Sequence, residues 1–107
     1  MNRLEQQKPF FKALADQPSQ VTRRKVLEQA TKDQINMISE VVLNLMKRNL
    51  PVDPSLMTRL RQHKQVLREL RQRKHSVKKR RDCLMEAKGN KLFRDLYELV
   101  CVCLNRS

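Results

Sequence analysis

The chain has 107 residues, of which 24 are Lys or Arg and 11 are Asp or Glu, so its formal net charge is +13 at pH 7. A chain of this length supports one small domain, and a charge of this size predicts an anionic partner because it concentrates anions at the surface. A single Gly and the absence of Trp argue against a β-sandwich or barrel. We predict an all-α fold, a compact bundle of about five to six helices, with flexible residues 1–8 before one helical domain at 9–107.

The first predicted helix begins at Pro9 and ends before Pro18. Ser19 is placed to cap a second helix. Thr31 is placed to cap a third, with Asp33 in its first turn, where a negative charge favours the helix dipole. The third helix has the clearest apolar periodicity, with residues recurring at steps of three and four. These predicted core residues are Ile35, Ile38, Val41, Val42, Leu45 and Met46.

The third helix is expected to end near Arg48, because a residue before Pro51 resists the α conformation. Asp53 and Pro54 then predict a new helix, with Asp at the cap and Pro at the first helical position. From Pro54 to about Lys74 there is no Gly or Pro, which predicts one continuous helix. Its apolar line consists of Leu56, Leu60, His63, Leu67 and Leu70.

Ser76 is placed to cap a further helix, running through Val77 and Leu84, that Gly89 is expected to stop as a C′ residue. Asn90 opens the last predicted helix, which has a broad apolar face. That face carries Leu92, Phe93, Leu96, Leu99, Val100 and Cys103. Whether it belongs to the core or to an interface stays open at this point.

The positive charge is concentrated in residues 59–81, here named the basic segment. It holds eleven Lys or Arg and one acid, Glu69, and therefore ten of the thirteen net charges. We predict that these cations bind nucleic acid, most directly duplex DNA, because each phosphate they neutralise releases counterions and the Arg fork matches phosphate oxygens. The predicted nucleic-acid-binding residues are Arg59, Arg61, Lys64, Arg68, Arg71, Arg73, Lys74, Lys78, Lys79, Arg80 and Arg81.

The basic segment contains no Phe, Tyr or Trp, which disfavours base stacking and favours phosphate contacts independent of sequence. Its cations could also be an ordinary solvated face. Two further interpretations stay open. The last helix and the leucine line could dock a partner helix, as in a protein–protein adaptor. Alternatively, a leucine face flanked by cations could lie on an anionic membrane, although it lacks the Trp and Phe typical of such helices.

The remaining motifs do not point to catalysis or metal binding. His63 and His75 have no partner at zinc-ligand spacing, and Cys101 and Cys103 would point about 200° apart on a helix. One glycine cannot form a phosphate-binding loop, and no acid, base and nucleophile cluster. We therefore predict a non-enzyme without cofactor or metal, whose cysteines, including Cys83, are free thiols.

No run of about 18 apolar residues is present, and the N-terminal residues lack the apolar core of a signal peptide. The protein is therefore expected inside the cell. The run at residues 78–81, with the cations before it, also fits a nuclear import signal.

Three stretches resemble small basic proteins of Maverick/Polinton elements and adintoviruses: VVLNLMKRNLPVDP at 41–54, LRQHKQVLREL at 60–70 and KHSVKKRR at 74–81. The likeness covers about residues 31–89. It implies a DNA-associated virion core component, and hence a location in the nucleus or the virion. Members of that family often continue into an apolar tail rich in Gly and Ala, whereas this chain continues from Asn90 into an amphipathic helix.

Overall fold

The computed structural model describes residues 3–46, 52–72 and 74–105. Within these ranges the chain forms seven α-helices and no strand, which confirms the predicted all-α fold. The helices are α1 (Arg3–Asp16), α2 (Gln20–Glu28), α3 (Lys32–Met46), α4 (Pro54–Arg61), α5 (Lys64–Leu70), α6 (Val77–Met85) and α7 (Lys91–Asn105). The number exceeds the predicted five to six because the region after Pro54 forms two helices instead of one.

Capping by short polar side chains starts four of the helices at the predicted residues. The side chains of Ser19, Asp53 and Ser76 each accept a hydrogen bond from a backbone N–H in the first turn of α2, α4 and α6, at 3.2, 2.8 and 3.1 Å. Thr31 forms a reciprocal capping box with Gln34. Its Oγ1 accepts from the backbone N–H of Gln34 at 3.1 Å, and its own N–H donates to Gln34 Oε1 at 2.9 Å.

Helix α1 begins at Arg3, so the prediction that a helix starts at Pro9 was wrong. Pro9 lies inside the helix, and residues 3–8, expected to be flexible, form its first turns. Leu4 packs against the core from this added part. Phe10 and Phe11, directly after the proline, are buried. Packing of these apolar side chains offsets the backbone hydrogen bond that a proline in a helix interior forfeits.

The helix predicted from Pro54 to about Lys74 is interrupted at Gln62 and His63. Their backbone N–H groups donate to carbonyls three residues back, at 3.2 and 2.9 Å, which tightens and ends α4. A tertiary contact lies at this interruption, where His63 Nε2 is 3.1 Å from Oδ2 of Asp95 on α7. The leucines on both sides of the break still point into the core.

Helix α6 ends at Met85, before Gly89, so Gly89 is not its C′ residue. Gly89 lies in the connection to α7 with a φ of 68°, a conformation that favours glycine. Asn90 precedes α7 as predicted, and its side-chain Nδ2 donates to the carbonyl of Ala15 at 3.3 Å. The start of α7 is thereby tied to the end of α1.

Helices α1 and α7 pack along each other, and α6 contacts α2, α3 and α5. The apolar face of α7 is core: Leu92, Phe93, Leu96, Leu99 and Val100 are all buried. The leucine line of α4 and α5 is buried in the same cluster, with Leu56, Leu60, Leu67 and Leu70. The predicted core residues of α3 are buried from Ile35 to Leu45, whereas the Met46 side chain and the predicted helix end near Arg48 lie outside the described part. No helix in the described ranges is long and apolar enough to cross a membrane.

Candidate nucleic-acid interface

Among the described residues of the basic segment, six cations have exposed side chains, and we name this set the basic surface. They are Arg61, Lys64, Arg68, Lys74, Lys78 and Lys79. Arg61 lies in the last turn of α4, and Lys64 and Arg68 lie one turn apart on α5. Lys74 is in the connection to α6, whose first turn carries Lys78 and Lys79. Helix α5 packs against α6, and both helices carry exposed cations of the basic surface.

The basic surface has few internal partners for its charge. Lys78 Nζ pairs with Asp82 at 3.0 Å on the exposed side of α6, and Lys79 Nζ lies 3.4 Å from the ring of His75. The other four cations form no ion pair within 4.0 Å with any described residue. Their charge therefore stays available to an external anion.

Arg59, predicted as a phosphate ligand, is held by two carboxylates of α7. Its Nη1 lies 3.0 Å from Asp95 Oδ1, and its Nη2 lies 2.8 Å from Glu98 Oε2. The hydrogen bond to Glu98, together with the attraction of Glu98 and Asp95, raises the pKa of Arg59 above its ordinary value. Arg59 therefore joins α4 to α7, and its charge is already compensated.

Arg80 and Arg81 face inward, so neither belongs to the basic surface. Arg80 is only 6% exposed, and it donates to Ser39 Oγ at 2.6 Å and to Asn36 Oδ1 at 2.8 Å. Arg81 is half-buried and donates from Nη2 to the carbonyl of Ala30 at 2.8 Å. Both arginines hold α6 against α3 and the end of α2.

Two of the predicted ligands remain. Arg71 follows α5 and is half-buried, and its Nε has no hydrogen-bond partner among the described residues. Arg73 lies outside the described residues. The eleven predicted residues thus divide into six on the surface, three whose guanidinium groups bond within the fold, one that is half-buried, and one not described.

Arg23, which the sequence analysis did not single out, is the largest of the fully buried side chains and is 2% exposed. Its Nη1 donates to the carbonyl of Gln17 at 2.7 Å, and its guanidinium lies 5.5 Å from the ring centroid of Phe93. Burial lowers the pKa of Arg23. Its position one turn before the buried Leu27 is the sequence signal that could have identified it.

The histidines and cysteines take structural positions. His63 contacts Asp95, and His75 Nδ1 lies 3.4 Å from Glu69 Oε2. All three cysteines are half-buried thiols outside any disulfide among the described residues, and burial is the main cause that raises the pKa of the Cys83 thiol. Over the described ranges, no three His, Cys, Asp or Glu side chains are grouped so that they could hold a metal ion.

A polar cleft of about 420 Å³ lies between α4 and α7, and we name it the α4–α7 cleft. It is lined by Arg59, Gln62, Lys91, Arg94, Asp95 and Glu98. Lys91 and Arg94 are exposed, and neither was among the predicted ligands.

Comparison of this chain with protein-family models, with curated proteins and with solved structures finds no match. What the surface can bind therefore follows from its own side chains. Exposed Lys and Arg groups donate charge-assisted hydrogen bonds to anionic oxygens, and Arg can hold a phosphate or a carboxylate through two parallel N–H donors.

Proposed function

We propose that the protein binds nucleic acid through the phosphate backbone, largely independently of base sequence, in a condensing, packaging or architectural role. The observation that carries this proposal is the basic surface, where four exposed cations lack an ion-pair partner among the described residues. Duplex DNA is the expected ligand. A role as a virion core component of a virus-derived element, in the virion or the nucleus, is the biological setting we infer from the family resemblance.

Like-charge repulsion supports an anionic ligand. Arg61, Lys64 and Arg68 follow one another at steps of three and four around the α4–α5 joint, and Lys74 lies just beyond α5. Lys64 and Arg68 lie four residues apart within α5, and like charges at that spacing destabilise a helix. A polyanion laid across them would convert this repulsion into attraction and release its own counterions.

The adaptor and the membrane interpretations have less support. Both require an apolar face to be available, yet the leucine line and the apolar face of α7 are buried, with Leu96 and Val100 at 1% and 0% exposure. Among the described residues, Val21 is the large apolar side chain that stays exposed. The basic surface is therefore the better candidate for recognition.

The experiment is a salt series of fluorescence-anisotropy titrations with labelled duplex DNA, using duplex RNA and anionic liposomes as competing ligand classes. We expect log affinity for DNA to fall linearly with log salt, with a slope of about −5 for six phosphate contacts. The triple variant R61Q/K64Q/R68Q should make that slope less negative by about 3, equally on unrelated DNA sequences, because phosphate contacts carry no base information.

The matched control is K25Q/K32Q/K88Q, which removes three exposed lysines outside the basic segment. It makes the same change in net charge and should leave the slope nearly unchanged. Equal losses in both triple variants would show that net charge, and not the basic surface, drives binding. Weak binding to every polyanion at low salt would refute the proposal.

A further inference from the structure

We infer that the α4–α7 cleft is a second phosphate-binding site, in which Lys91 and Arg94 hold the backbone of the same nucleic acid that the basic surface binds. This inference rests on the proposed function and extends it to residues outside the basic segment. It also assigns Arg59 a supporting role in place of direct phosphate contact.

Lys91 and Arg94 form no ion pair with a described residue, although α7 itself carries two carboxylates. Asp95 follows Lys91 by four residues and Glu98 follows Arg94 by four, the spacing at which ion pairs form along a helix. Neither pair forms within 4.0 Å, because Asp95 and Glu98 both bind Arg59 instead. Two cations therefore stand at the rim of the cleft with their usual acidic partners engaged elsewhere.

The acids of the cleft are poorly placed to repel a phosphate. Asp95 is 4% exposed, and its two oxygens are already committed to Arg59 and His63. Glu98 is half-exposed, but its carboxylate lies on the Arg59 guanidinium at 2.8 and 3.3 Å. Arg59, Asp95 and Glu98 together carry a net charge of −1, so Lys91 and Arg94 leave the cleft with a net charge of +1.

The cleft adjoins the basic surface at the α4–α5 joint. Gln62, which lines the cleft, lies between Arg61 and Lys64 of the basic surface in the chain. His63 fixes this joint to α7 through Asp95 at 3.1 Å. We expect a phosphate backbone bound at Arg61 and Lys64 to reach the cleft through Gln62, whose side-chain amide can donate to it.

The charge pattern of α7 is also unfavourable without an anion. Its first turn contains no acid and begins with Lys91, with Arg94 one turn on. Positive charge near a helix N-terminus opposes the helix dipole. A bound phosphate would relieve this repulsion, which gives the two rim cations a ligand-dependent stabilisation.

The test compares K91Q/R94Q with K25Q/K32Q in the same anisotropy salt series on duplex DNA. All four residues are exposed and form no ion pair with a described residue, so the two variants differ in location but not in charge. We expect K91Q/R94Q to make the salt slope less negative by about 2 and to lower affinity about 50-fold at 0.1 M salt, as expected for two lost contacts. K91R/R94K, which keeps both charges, should retain the slope to within about 0.5.

The outcomes separate this inference from the proposed function. Wild-type binding with a slope of about −5, together with equal slopes for K91Q/R94Q and K25Q/K32Q, overturns the cleft while leaving the basic surface intact, because two further contacts in the cleft would bring the wild-type slope to about −7. Absence of wild-type binding overturns both. Thermal melts followed by circular dichroism check that each variant is folded, and a folded K91Q/R94Q with an unchanged slope counts against the cleft.

Discussion

Several arginines satisfy backbone carbonyls at the ends of helices. Arg23 donates to a carbonyl just beyond α1 at 2.7 Å, Arg24 to the last carbonyl of α6 at 3.1 Å, and Arg81 to that of Ala30, just beyond α2, at 2.8 Å. The last carbonyls of a helix lack intrahelical donors, and they lie at the negative end of its dipole. A guanidinium with five N–H donors suits this position, and a lysine would not replace its geometry.

Arg80 is the residue on which a mutation separates fold from binding most clearly. R80M removes the guanidinium that donates to Ser39 Oγ and to Asn36 Oδ1, and the apolar Met side chain cannot donate in its place. We expect a loss of about 3 kcal/mol in the free energy of unfolding, since buried hydrogen bonds to charged groups are among the strongest. Urea unfolding followed by circular dichroism measures it.

The control is K79Q, one position earlier on the exposed side of α6, which should change the free energy of unfolding by less than about 0.5 kcal/mol. For DNA affinity we expect the opposite ranking, with the larger effect from K79Q and the smaller one from R80M. K79Q should weaken affinity, whereas folded R80M should bind nearly as the wild type does. Comparable stability of the two variants would contradict the buried role of Arg80.

At the level of helices, the joint between α4 and α5 depends on Asp95. This carboxylate is shared by Arg59 from α4 and His63 from the joint, at 3.0 and 3.1 Å. D95N removes the charge while keeping the size of the side chain, and an NH₂ group replaces one of the two carboxylate oxygens that Arg59 and His63 contact. We expect about 2 kcal/mol of destabilisation, because the carboxylate is buried and its partners are left with incomplete hydrogen bonding.

E98Q is the natural comparison for D95N, because Glu98 binds the same Arg59 from a half-exposed position. Exposed ion pairs contribute little to stability, so E98Q should shift the urea midpoint much less than D95N does. A larger shift for E98Q than for D95N would show that the bond to Arg59, and not the buried carboxylate, holds the joint.

Helix starts were predictable because capping is local chemistry. Ser19, Thr31, Asp53 and Ser76 make their hydrogen bonds within their own first turns, so the sequence contains everything the caps need. The break at His63 was not predictable in this way, since no Gly or Pro marks it and its partner lies on α7. A contact between residues so far apart in sequence produces no pattern in the neighbouring residues from which it could be predicted.

The same distinction applies to the candidate site. That residues 59–81 are strongly basic is evident from composition, but which cations face outward depends on helix register and packing. Arg80 follows Val77 by three residues and precedes Leu84 by four, which places it on the inner face of α6, and this spacing was overlooked. The pairing of Arg59 with Asp95 and Glu98 of α7 could be seen only in the tertiary structure.

At the level of the whole molecule, a net charge of +13 is carried by a body of 33 × 31 × 28 Å. Self-repulsion at this density destabilises the compact state, and added salt screens it, with a screening length of about 10 Å at 0.1 M. We therefore expect the thermal midpoint to rise between about 10 and 200 mM NaCl. Melts followed at 222 nm measure it, and a falling midpoint would mean that the internal ion pairs outweigh the repulsion.

The pairing of α1 with α7 has a consequence for the order in which the fold can be completed. Synthesis produces α1 first and α7 last of the seven helices described, yet these two pack along each other. Contacts between segments so far apart in sequence slow folding, because the intervening loop must close before they form. Until α7 packs against α1, Phe10, Phe11 and Leu14 lack the cover that this helix provides, although the basic segment has already been synthesised. The incomplete chain therefore exposes apolar and cationic groups together, and the packing of α7 on α1 ends this exposure.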